Sequence, residues 1–68
     1  MPVVSYEGGK LDKDKKEELV KGFTEVAARV TGIPKEAFYV YIKEYPDDSM
    51  GVGGLLLPDY LAKRRESQ

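Results

Sequence analysis

Residues 12–32 read DKDKKEELVKGFTEVAARVTG, from Asp12 to Gly32. Leu19, Val20, Phe23, Val26, Ala27 and Val30 follow one another at gaps of one, three and four, which draws a single apolar stripe along a helix. Lys13, Asp14, Glu17, Lys21 and Glu25 fall on the other side, with Glu17 and Lys21 in the favourable i,i+4 order, and read as a solvated face. Asp12 is a good N-cap, because its carboxylate can accept from the unpaired amides of the first turn. Gly32 supplies a left-handed stop and Pro34 prevents continuation. The stretch predicts a helix from Lys13 to about Thr31.

Upstream, Val3, Val4 and Tyr6 favour a strand that Gly8-Gly9 closes. Downstream, residues 37–44 (AFYVYIKE) are β-branched and aromatic. Strand side chains alternate, so Phe38, Val40 and Ile42 share one face and should meet the helix. Tyr39, Tyr41 and Lys43 share the other, left for a partner or a pocket. Strand, helix, strand is a βαβ unit, with parallel strands and a right-handed crossover. Pro46-Asp47-Asp48-Ser49 is a turn by composition. Gly51-Val52-Gly53-Gly54 reads as a hairpin; no Lys-Ser/Thr follows it and it does not run from strand into helix, so it is not a phosphate loop. Leu55-Leu56-Leu57 is a large apolar triplet for so small a domain and points to a subunit contact. Pro58 can open a short helical turn through Tyr60, Leu61 and Ala62. Lys63-Arg64-Arg65, beside Glu66, reads as a soluble tail rather than a nucleic-acid patch. The expected whole is one α+β domain over residues 1–68, with a parallel βαβ unit and a C-terminal β-hairpin.

A 68-residue chain makes a small core, and folds of this size usually need a staple. There is no Cys and no His, hence no disulfide, no thiolate metal site and no Cys-His or Ser-His catalysis. Self-association is the remaining staple, and neither metal nor cofactor is expected. Carboxylates, Lys, Tyr and a terminal amine are the acid–base groups left. Eleven basic against twelve acidic residues give a formal charge of −1, so nothing draws nucleic acid or an anionic membrane. No apolar run of membrane-spanning length and no charged n-region with an apolar h-region occur. A soluble, cytoplasmic protein is expected.

Met1-Pro2 opens the first strand. Proline at the head of a chain carries a secondary amine on a rigid ring, and the small ring is compatible with removal of Met1. An α-amino group titrates near 7.7–8.0 and desolvation lowers that value, since it disfavours the charged form. Such a nitrogen is a neutral base near pH 7, where proton-transfer catalysts work best. The alternative is an incidental Met-Pro start without chemical meaning.

A proline behind Met1, a strand, a capped amphipathic helix, a second strand ending in Ile42-Lys43-Glu44 and then Gly51-Val52-Gly53-Gly54: this order, from Pro2 to about Leu61, resembles the 4-oxalocrotonate tautomerase family, and within it the short DmpI-type members. The resemblance implies a tautomerase-like protomer that pairs into a four-stranded sheet, with three dimers forming a homohexamer. It implies that Pro2 takes a proton from an enol or an acidic carbon of a small 2-oxo acid such as 2-hydroxymuconate and returns it elsewhere. Nearby cations would hold the substrate carboxylate, and an apolar wall would keep the amine unprotonated.

The chain departs from the family's pattern at the binding groups. Well-studied members carry arginines just before the long helix and on the second strand; Leu11 and Tyr39 stand at those places here. One residue is missing before the helix, which brings Lys10 near the first of them. Lysine is a point charge without arginine's bidentate fork, so it would position a carboxylate more loosely. Met50 replaces an aromatic wall residue and suits a pocket wall or a core gap. The expected site is Pro2 as base, with Lys10, Tyr39, Lys43 and Met50 against the substrate. For Lys10 the competing role is solvated surface, for Tyr39 and Tyr41 subunit packing, for Lys43 an ion pair. Arg64 and Arg65 reach a neighbour's site or form a free tail. A second functional reading is a non-catalytic oligomeric binding or structural protein with the same fold.

Overall fold

The computed structural model describes residues 1–66. Strand β1 (Val3–Gly8) leads through Asp12 into helix α1 (Lys13–Thr31), and strand β2 (Tyr39–Glu44) returns parallel to β1. The register sets Val3 beside Tyr39 and runs to Gly8 beside Glu44. A second, two-stranded sheet pairs β3 (Gly51–Val52) antiparallel with β4 (Leu55–Leu56), and helix α2 (Leu57–Glu66) ends the described chain. These elements are the parallel βαβ unit and the C-terminal hairpin expected from the sequence.

The caps of α1 explain its length. Lys15 N–H donates to the Asp12 carboxylate at 2.9 Å, and Gly32, at φ 75°, turns its N–H back to the Ala28 carbonyl at 2.9 Å. The β2 side of the unit alternates as expected. Phe38, Val40 and Ile42 are half-buried, while Tyr39, Tyr41 and Lys43 are exposed. The second strand is shorter than the stretch 37–44, because Lys35–Ala37 first close a 3-10 turn behind Pro34.

The apolar stripe of α1 divides. Leu19, Phe23 and Ala27 are half-buried, but Val26 is 53% and Val30 70% exposed. Val20, on the opposite flank, is 39% exposed, so two strands about 4.8 Å apart leave the stripe only partly covered. At the other end, α2 runs ten residues instead of a short turn. No breaker follows Pro58, and Lys63, Arg64 and Arg65 lie in its last turn, where cations complement the helix dipole. The helix packs on the hairpin and on the 3-10 turn Asp47–Ser49.

Among the described residues none is fully buried. The chain exposes 5421 Å², against roughly 4,300 Å² for a compact monomer of its mass. Its radius of gyration is 16.2 Å where about 11 Å is normal for the length, and it extends 48 × 22 × 21 Å. The hairpin and α2 form an arm on the βαβ body. Among the described residues no helix is long and apolar enough to cross a membrane.

Candidate active site

Parallel strands give the body two distinct ends. Pro2 and Tyr39 lie at the end where β1 and β2 begin. Tyr39 N–H donates to the Pro2 carbonyl at 3.1 Å, which extends the ladder by one rung and fixes the Pro2 peptide against β2. Pro2 is half-buried, and Met1 ahead of it is 82% exposed. By strand alternation Pro2 shares the half-buried face of Val4 and Tyr6, whereas Tyr39 belongs to the outward face and is 44% exposed.

Lys10 and Met50 lie at the other end, beyond Gly8 and Glu44. Six strand residues at about 3.3 Å each separate this end from Pro2 by roughly 20 Å. Lys43 sits near it on β2, in register with Glu7. Of the residues expected to form the site, one protomer sets Pro2 beside Tyr39 at one end and leaves Lys10, Lys43 and Met50 toward the other, where neither lysine lines the cleft that holds Met50.

Two constellations at this far end were not legible in the sequence. Glu44 gathers the loop that carries Lys10: Leu11 N–H donates to its Oε2 at 2.8 Å, and Lys16 Nζ pairs with its Oε1 at 2.6 Å. The Lys16 ammonium, then the Leu11 amide, hold the Glu44 carboxyl below its ordinary value of 4.5. Glu44 is separated from both partners by more than twenty residues, so no local pattern marks it. The second constellation is Tyr45, whose hydroxyl donates to Glu7 Oε1 at 2.9 Å. That bond raises the Tyr45 phenol above its ordinary 10.0. Glu7, Gly8, Tyr45, Met50, Val52 and Leu57 line a cleft of about 440 Å³ in the angle between body and arm. Met50, expected as a pocket wall, is half-buried there, and its carbonyl accepts from Leu57 N–H at 2.8 Å. Arg64 and Arg65 are on α2, exposed. Among the described residues no group of three or more potential ligands could hold a metal ion.

Residues 3–60 match the family model described as tautomerase enzyme. The chain belongs to the tautomerase family. A solved structure of DmpI from Archaeoglobus fulgidus is 43% identical, with 85% of this chain and 100% of that one covered and a TM-score of 0.79. A 4-oxalocrotonate tautomerase homologue, TTHB242, is 35% identical, with 87% and 95% covered and a TM-score of 0.79. A structure from work on trans-3-chloroacrylic acid dehalogenase activity is 26% identical, with 84% and 100% covered and a TM-score of 0.74. No curated protein is a significant match.

Proposed function

We propose that this chain is a cytoplasmic keto–enol tautomerase of small 2-oxo acids whose general base is the Pro2 nitrogen, freed by removal of Met1. The observation that carries the reading is the placement of Pro2. It stands half-buried at the head of β1, pinned through its carbonyl by Tyr39, immediately before the span matched by the tautomerase family model. A secondary amine held there and shielded from water accepts the enol proton at neutral pH and delivers it to the conjugated carbon, so the enol becomes the ketone with no net gain or loss of atoms. Tyr39 is a hydrogen-bond donor for the oxygen that carries charge during the transfer. Lys10 and Lys43 are the cations for the substrate carboxylate, and Met50 is the wall.

These groups lie at opposite ends of one protomer, so the working site combines Pro2 and Tyr39 of one copy with the far end of another. The excess surface and the lack of a fully buried residue among those described support such an assembly. A hexamer built as three dimers is the form we propose.

Replacing Pro2 by Ala should cut turnover of phenylenolpyruvate or 2-hydroxymuconate by orders of magnitude, and unchanged rates would overturn the mechanism. Intact mass of the cell-made protein should show loss of Met1; a wholly Met1-capped product leaves an amide that cannot titrate and ends the proposal as well.

One observation favours a non-catalytic binding role instead: the β2 residue beside Pro2 is Tyr39, which cannot neutralise a carboxylate as a cation does. An electrophilic 2-oxo acid, 3-bromopyruvate, separates the two. Labelling of Pro2 ahead of the lysines supports the enzyme, and indiscriminate labelling supports the binding protein.

A further inference from the structure

We propose that one flank of α1 docks on the same flank of a second copy's α1, antiparallel, so that Val26 of each chain fills a notch at Gly22 of the other. The contact does not depend on Pro2 chemistry. Helix α1 packs chiefly on β2 and on the turn Lys35–Ala37. One flank is left as a groove of about 520 Å³, in which Leu11, Leu19, Phe23 and Val26 surround Gly22. The groove on the other flank is lined largely by lysine and glutamate, so the apolar flank is the first.

Nothing inside the protomer requires a glycine at position 22. It lies mid-helix, where glycine weakens the element relative to alanine, and a Cβ there meets nothing within 4 Å. Its φ is not positive either. A missing side chain on an open apolar flank lets a second helix approach to about 8 Å, the near end of the usual range. Val26, one turn on, is 53% exposed and supplies the matching projection.

Charge and area identify the occupant as a second copy. Two helices related by a two-fold axis across them run antiparallel. The register that sets Val26 against Gly22 also sets Arg29 against Leu19, one residue from Glu18, on both sides of the axis. Glu18 and Arg29 are exposed, and neither has a hydrogen-bond or ion-pair partner among the described residues. A parallel pair would set each of these charges against its own copy. The exposed surface of 5421 Å², where roughly 4,300 Å² is expected, leaves about 1,100 Å² to cover; a standard interface takes about 800 Å² per partner.

The test is sedimentation of the full chain over a dilution series, with helix content followed by circular dichroism. Gly22→Leu fills the notch and should raise the dissociation constant about tenfold or more while helix content holds, since leucine is the better helix former. Glu18→Arg and Arg29→Glu should each weaken association about tenfold or more, and the two together should restore it. The two positions lie roughly 16 Å apart along one helix, so no pairing within a chain accounts for the rescue. A wild type that stays monomeric, self-association indifferent to all three single substitutions, or single losses without rescue in the double variant overturns the proposal.

Discussion

Glu44 ties three parts of the body together with one carboxylate. It ends β2, caps the approach to α1 through the Leu11 amide, and meets Lys16 in the helix's first turns. A carboxyl held below its ordinary value stabilises the folded state only while ionised. Its contribution is therefore complete above about pH 4.5 and fades as pH falls from there through the lower folded value. Denaturant midpoints measured from neutral pH into that acid range should fall for the wild type, and Glu44→Gln should flatten part of the fall. An identical acid limb in the variant would mean that the tie contributes nothing. The group is solvent-accessible, so the effect should shrink at high salt.

The hairpin depends on its turn more than on its strands. With two residues each, β3 and β4 offer one close pair, Val52 beside Leu55, and a second, Gly51 beside Leu56. Gly53 and Gly54 take φ of 58° and 87°, the left-handed pair that lets a two-residue loop follow the twist of its strands. A Cβ meets no neighbour at either position, so the penalty of substitution is purely conformational. Gly54→Ala should cost about 1–2 kcal/mol, read as a lower thermal midpoint. An unchanged midpoint would show that the arm folds independently of this turn. Helix α2 leans on the same hairpin, so loosening the turn should also raise amide exchange in residues 57–66.

A protomer 48 Å long with no fully buried residue among those described is not self-sufficient at the scale of the molecule. The exposed valines of α1, Val20, Val26 and Val30, and the outward faces of Tyr39, Tyr41 and Leu56 are the surfaces that association would cover. If folding and assembly are one process, dilution should lower the unfolding midpoint by mass action. Thermal midpoints over a hundredfold range of protein concentration, with sedimentation at each end, check this. A monomer of constant stability would sink both the assembly and the composite site.

Local chemistry was enough for much of the body. Asp12 and Gly32 bound α1 because a cap acts within one turn. Gly53-Gly54 make the hairpin because positive φ is a property of the residue, and the alternation of Phe38, Val40 and Ile42 placed the inner face of β2. The family, too, was readable from Pro2 and the spacing of these elements. What sequence could not supply depends on distance in space. Glu44 finds Leu11 and Lys16, and Tyr45 finds Glu7, only once parallel pairing has brought the ends of β1 and β2 together. That same pairing sends Pro2 to one end of the sheet and Lys10 and Met50 to the other. That Val20, Val26 and Val30 stay partly in water was decided by how much of the helix a two-stranded sheet can cover, a quantity that no residue in the helix encodes.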